Sequence, residues 1–333
     1  MANNTHNLKN SLRDAGLGDP SIDAAWPDWW SDDLAGDASG EAELRFALSK
    51  RLGLAPRSLL GEEVEFIWND EARFKHLTAA QESHRAALTS FGISFGRILL
   101  KATPNGPGLS GLPAEALRRA ITAQGRLVDL QALLPLCWGM GVPVVHLRVF
   151  PLPTKSMHAM IVAHEGRHAI LLGRDANYPA PIAFTLAHEM GHAALGHLDD
   201  GPAIVDMEDP GQTAGADEHD GEEQEADRFA LSLLTGSPEP LIEVDRTRFN
   251  SPTLAGAALK AAQQYGIEPG VLALCLGYQR NVWPTAMTAL KFIYRDKSPV
   301  WEYVNNVAMD QIDFSQVSND AAVWIRTVLD RHG

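Results

Sequence analysis

Residues 184–197 read Phe184-Thr185-Leu186-Ala187-His188-Glu189-Met190-Gly191-His192-Ala193-Ala194-Leu195-Gly196-His197. Up to Gly191 these are good helix formers, and positions four apart in a helix stand above one another. His188 and His192 therefore present two imidazoles to one point, with Glu189 beside them. An H-E-x-x-H helix is half of a zinc site. It supplies two nitrogen ligands and a carboxylate placed to take a proton from a water whose pKa the metal lowers toward neutrality.

Two histidines do not complete such a site, and a third ligand is available downstream. The run Glu222-Glu223-Gln224-Glu225-Ala226-Asp227-Arg228-Phe229-Ala230-Leu231-Ser232-Leu233-Leu234 reads as a helix with Ala226, Phe229, Ala230, Leu233 and Leu234 on its apolar side. Glu223 and Asp227 are four apart on it. With Glu223 on the metal, Asp227 stands near enough to hydrogen-bond a ligating histidine from behind. Glu222 and Glu225 are the other carboxylates in reach. A third histidine of the metzincin type would stand six residues after His192, where the chain has Leu198; His197 falls one short and reads as polarity at a helix end.

The segments Ala187-His188-Glu189-Met190-Gly191-His192 and Glu223-Gln224-Glu225-Ala226-Asp227-Arg228-Phe229-Ala230 together resemble the ImmA/IrrE family of metallopeptidases, where an A-H-E-x-G-H helix is followed by a helix of the form E-x-E-A-(N/D)-x-F-A. The resemblance implies a gluzincin-like zinc endopeptidase site, with His188, His192 and Glu223 on Zn2+ and Glu189 as general base. No motif assigns the transition-state stabiliser; Tyr178 and His158 are the nearest candidates along the chain. The resemblance further implies a protein substrate, a specific DNA-binding repressor or antitoxin whose cleavage releases stress, phage or mobile-element genes. The rival expectation is a non-catalytic regulatory or DNA/protein-binding protein with a structural or vestigial zinc site.

Composition narrows the classes. At 333 residues, 45% hydrophobic and 21% charged, the chain reads as globular, and its formal charge of −14 argues against a surface that tracks phosphates. Met1 to Asn7 lacks the apolar run of a secretory signal, and the apolar region Leu127–Phe150 is broken by Asp129, Gln131, His146 and Arg148 and by prolines and glycines, so no membrane span is expected. Cys137 and Cys275 sit among apolar neighbours, as reduced core thiols do, and the expected location is the cytoplasm.

The expected fold class is α+β: mostly helical, with a small sheet packed against the H-E-x-x-H helix and a second ligand-bearing helix. Residues 1–40, rich in Asp, Gly, Asn and Ser, read as irregular, with Trp26, Trp29 and Trp30 capping a neighbouring core. Residues 41–102 read as a helical unit that opens like a helix-turn-helix. Lys50, Arg51 and Arg57 could meet phosphates there, although packing or docking is the favoured role. Asp70 to Leu100 suits two helices, Val64 to Trp68 a strand or extended link, and 103–113 is the clearest linker. Residues 114–280 read as the metallopeptidase domain. It opens with a helix over 114–135, and the β-rich runs Val142–Phe150, Met157–Ala163 and Arg167–Leu172 follow, the last two joined by a hairpin near Gly166. Arg167–Leu172 is the expected open edge for a substrate backbone. The acidic stretch Asp199–Asp220 reads as a mobile loop over the cleft. Helices are expected at Pro252–Tyr265 and Pro269–Tyr278, and 281–333 reads as a C-terminal helical extension.

Overall fold

The computed structural model describes residues 2–57, 64–68, 72–75, 82–152, 157–199, 201–207, 221–242 and 249–330. Its α+β architecture is mostly helical, with one small five-stranded mixed sheet. In chain order come α1 (Ala2–Asp14), α2 (Asp19–Ala25), α3 (Ala38–Leu52), β1 (Ala72–Lys75), α4 (Glu82–Lys101), α5 (Ala114–Thr122), α6 (Leu130–Gly139), β2 (Val144–His146), β3 (Ala159–His164), β4 (Arg167–Leu172), α7 (Pro179–Leu195), β5 (Ala203–Asp206) and α8 (Gly221–Thr235). The remaining helices are α9 (Ser251–Tyr265), α10 (Pro269–Gln279), α11 (Trp283–Ile293), α12 (Val300–Gln311) and α13 (Asn319–Leu329). Among the described residues, no helix is long and apolar enough to cross a membrane.

The strands lie in the order β1-β5-β3-β4-β2. β3 and β4 form an antiparallel hairpin, closed by Glu165 (φ 52°) and Gly166 (φ 72°) between the paired His164 and Arg167. Two consecutive positive φ angles are what a two-residue hairpin turn needs to match strand twist. β5 runs antiparallel to β3, whereas β1 is parallel to β5 and β2 parallel to β4. Alternation then sorts the side chains. Ala159, Ile161, Ile170, Leu172 and Ile204 face one apolar core; Met160, Val162, Ala169, Leu171 and Val205 face the other. α7 covers the first face and α4 the second, so the sheet is buried on both sides.

α7 is apolar around almost its whole circumference, with Ala180 to Ala183 and Thr185 to Ala194 all buried, as befits a helix enclosed by neighbours. Pro179 opens it and Gly196, at φ 78°, ends it in the left-handed conformation that glycine adopts without strain. α8 lies against it at close range. A Cβ on Gly191 would stand 3.0 Å from Ala226 Cα, 3.1 Å from Ala226 O and 3.2 Å from Phe229 Cβ, so only a residue without a side chain lets the backbones approach this far.

Several expectations are corrected. Residues 1–40 are not irregular: α1 and α2 form there because Leu8, Leu12, Leu17, Ile22 and Ala25 bury in the second core, a pattern diluted by their Asn, Asp and Gly neighbours. Trp26 and Trp30 pack against that core, whereas Trp29 is exposed. After α3, Leu54 makes an isolated bridge to Phe66; of the second short helix expected with Pro56 near its start, Pro56 and Arg57 form a turn and the residues from 58 on lie outside the described residues. Arg51, read as a possible phosphate contact, is buried, pairs with Asp320 at 2.5 Å and lies over the Trp324 ring. Where two helices were expected over Asp70–Leu100, the described residues form β1 and the long α4.

The sheet crosses the expected boundary at 103–113, taking β1 from before it and the other strands from after. That segment is itself tied down, since Gly108 N–H donates to Met140 O, Gly111 N–H donates to Ala194 O, and Leu109 is fully buried. The expected helix over 114–135 divides into α5 and α6 at Gly125 (φ 73°), with Asp129 capping α6. β4 is not an edge: β3 and β2 occupy both its sides, and its Arg167 donates to the carbonyls of Leu100, in the last turn of α4, and Thr103, just beyond it. The beginning of the acidic stretch contributes β5, and 208–220 lie outside the described residues. Finally, the C-terminal helices close the β2 edge. Asn305 of α12 accepts from His146 N–H (2.7 Å) and donates to His146 O (2.8 Å) and Leu329 O (2.7 Å).

Gly191→Val is expected to overpack the α7–α8 contact and destabilise the protein by about 1–3 kcal/mol, measured as a lowered urea midpoint with an unchanged m-value.

Candidate metal centre

Helical spacing on α7 brings His188 and His192 to one face, where their rings stand edge to face with centroids 4.7 Å apart. The two Nε2 atoms are 3.0 Å apart. α8 delivers Glu223 to the same point, its carboxylate oxygens 3.3 Å from Nε2 of His188 and 3.3 Å from Nε2 of His192. These three residues are the group found among the described residues whose ligand atoms all converge, within 4.8 Å of one another. A tetrahedral ion with bonds of about 2.0–2.1 Å holds its ligand atoms about 3.3 Å apart. The imidazole nitrogens and the two Glu223 oxygens that face them are spaced on that scale, and the group can hold a metal ion.

The proton count agrees. Burial alone would depress the His188 pKa, but the hydrogen bonds to Asp227 and Glu223 and the charges of Asp227 and Glu189 outweigh it, and the group is raised well above its ordinary value. His192 goes the other way, down to about 4, through burial and the neighbouring charges of His188 and His197, against the pull of Glu223. The imidazole hydrogen bonds hold the Glu223 carboxyl below the usual carboxylate range despite its burial. His188 is thus the protonated partner of the ionised Glu223 while His192 stays neutral, and an ion bound between the ligands takes the place of that proton.

Glu189 follows His188 on α7 and is buried, at 1% exposure. Neither of its carboxylate oxygens has a hydrogen-bond partner among the described residues. Burial drives its pKa well up, and the charges of Asp206 and Glu223 push it further while His188 opposes them. An unpartnered buried carboxyl costs about 1–3 kcal/mol, so the fold keeps a destabilising group beside the convergent ligands.

The acidic side chains of α8 divide the work around it. Glu223 faces the imidazoles, and Asp227, one turn on, takes His188 Nδ1 at 2.9 Å. Glu222, an alternative ligand by sequence, turns instead to Arg73 of β1, with both oxygens on Nη1 at 2.7 and 2.9 Å. Glu225, the other alternative, reaches His197 Nε2 at 3.1 Å. Tyr178 stands just before α7, ten residues or about 15 Å of helix rise before His188, and its ring stacks on Tyr294 at 5.6 Å. His158 lies ahead of β3 with its N–H on Asp206 O at 2.9 Å.

Sequence spacing missed two residues. His197 is buried, and its Nδ1 lies 2.9 Å from Nδ1 of His192. The signal was Gly196, since a left-handed helix end turns the following residue back onto the last turn. Asp206, the last residue of β5, is buried and acts on Glu189 through its charge; a strand of four residues inside an acidic stretch gave no periodicity to find. Beside His188 lies a small cleft, partly open to solvent and lined by Phe184, Asp227, Leu231, Leu274 and Trp283. No protein-family model matches the chain, and no curated protein matches it.

Because His188 must lose its proton before Nε2 can ligate, protons compete with metal, and affinity is expected to rise with pH through 6.5 and on to the raised His188 pKa, then level off. Calorimetric titration of the metal-free protein with Co2+ in buffers of different ionisation enthalpy should show at least one proton released per ion, and Glu223→Ala should abolish stoichiometric binding.

Proposed function

We propose that the chain is a zinc-dependent endopeptidase of the ImmA/IrrE kind. The observation that carries the proposal is the buried Glu189 carboxyl, without a hydrogen-bond partner, adjoining a triangle of two imidazole nitrogens and one carboxylate. Two histidines and a glutamate are a donor set of catalytic zinc, which leaves a fourth position for water, whereas structural zinc is usually closed by four protein ligands. When bound, zinc supplies a Lewis acid that lowers the pKa of water and polarises a carbonyl.

The protein's own groups do the rest. Glu189 accepts the proton of the attacking water and delivers it to the leaving amine. Its burial raises its proton affinity toward the range useful to a general base, and the charge of a bound cation acts against that rise. Asp227 holds His188 by Nδ1, leaving Nε2 for the ion. The apolar cleft beside His188 gives a substrate side chain a place to lie.

The proposed substrate is a DNA-binding repressor or antitoxin, cut in the cytoplasm during stress, phage or mobile-element regulation. Two features support this: the likeness of the two motifs to that family, and the −14 charge of the chain, which favours encounter with the basic surface of a DNA-binding protein.

Glu189→Gln is expected to retain zinc and lower cleavage of a DNA-binding repressor substrate by about 10²- to 10⁴-fold, followed by gel and mass spectrometry; full activity would refute the assigned role. Glu189→Met should raise the denaturant midpoint of the metal-free protein, because it removes a buried carboxyl without a partner.

A further inference from the structure

His197 lies where it does because α7 ends at Gly196. The left-handed turn there lets the N–H groups of both Gly196 and His197 reach His192 O, the latter at 3.1 Å, and the chain reverses beneath the last helical turn. The His197 ring then meets the His192 ring at a centroid distance of 5.1 Å and 65° between planes, with 2.9 Å between the two Nδ1 atoms. On its far side, Nε2 of His197 is 3.1 Å from Glu225 Oε2.

Two imidazole nitrogens at hydrogen-bond distance share one proton, and its position follows from the neighbours. Nε2 of His192 belongs to the ligand triangle, so it is bare there and the neutral ring carries its proton on Nδ1. That N–H donates to Nδ1 of His197, which is therefore unprotonated. The His197 proton sits on Nε2 and donates to the carboxylate of Glu225. Every donor in this chain meets an acceptor, and reversing any one proton puts N–H against N–H or leaves the carboxylate facing a bare nitrogen.

We infer that His197, anchored by Glu225, is a positioning residue that locks His192 into its metal-binding tautomer, an assignment that rests on the metal site proposed above. The two ligand histidines are thus held by different means. Asp227 grips His188 directly, whereas His192 is gripped through an interposed imidazole. α8 supplies both anchoring carboxylates, Glu225 and Asp227, and the third ligand, Glu223, so docking of one helix orients all three ligands.

The test uses the full chain, with Zn2+ alone as the probe. His197→Phe, which fills the space but offers no acceptor, should weaken Zn2+ binding by about 10- to 100-fold in a chelator competition. His197→Asn, which returns an acceptor oxygen near the position of Nδ1, should recover most of that loss. Long-range ¹H–¹⁵N NMR of the wild-type chain should show the Nδ1–H form of His192 and the Nε2–H form of His197. Wild-type affinity in a folded His197→Phe variant overturns the inference, as does Nδ1–H on His197. Should His197→Phe not fold, the surface variant Glu225→Ala serves in its place: its NMR should show mixed His197 tautomers, and an unchanged single tautomer overturns the role of Glu225. Repressor cleavage by the wild type with His197 variants that bind Zn2+ normally would remove this inference alone, whereas a wild type that takes up no Zn2+ would remove the metal site with it.

Discussion

The contact between α7 and α8 at Gly191 and Ala226 governs the geometry of the centre. Two helices whose facing residues carry side chains lie 8–10 Å apart, and here the absence of a Cβ on Gly191 brings the backbone of Ala226 against α7. Glu223 and Asp227 flank Ala226 and inherit that closeness. Their reach to His188 and His192 is 2.9–3.3 Å, distances at which a displacement of a fraction of an ångström changes what can bind.

Such a contact holds only if both helices are fixed from behind. α7 rests on the first face of the sheet and is hemmed in by α6 and α10, while the first turn of α8 is tied through Glu222 to Arg73 on β1. The outer helices are part of the same support. α4 packs the opposite face of the sheet through Gly92 and Gly96, which lie against Met160 and Val162. α12 and α13 hold the β2 edge through Asn305, and Arg51 with Trp324 joins the N-terminal helices to the C-terminal ones. The C-terminal segment is therefore part of the scaffold that keeps the sheet rigid beneath α7.

What could be read from residues alone was uneven, and the reason is physical. Spacing of four on a helix reports a shared face wherever the helix is packed, which is why His188 with His192 and Glu223 with Asp227 stood out. Unbroken β-rich apolar runs marked β3 and β4, and the break at His164-Glu165-Gly166 marked their turn. β1 and β5 span four residues each among charged neighbours, too short for a pattern. α1 and α2 carry a few apolar residues spaced for one face, diluted by polar ones. The edge expected at Arg167–Leu172 failed because whether a strand lies at an edge is a property of its neighbours, and β2 and β3 take both its sides.

Backbone geometry within one helix therefore settled the identity of the paired histidines, the adjacent glutamate and the acidic helix that follows, since those relations need nothing beyond the α-helical repeat. Packing settled which carboxylate meets the imidazoles. Glu222, Glu223 and Glu225 all lay in reach along the chain, and the packing of α8 on α7 and β1 sends them to Arg73, to the paired histidines and to His197 respectively. His197 was assigned in the same way. Its burial follows from one left-handed turn, and its partners come from a helix that begins well beyond it, so their relation exists only once the chain has closed on itself.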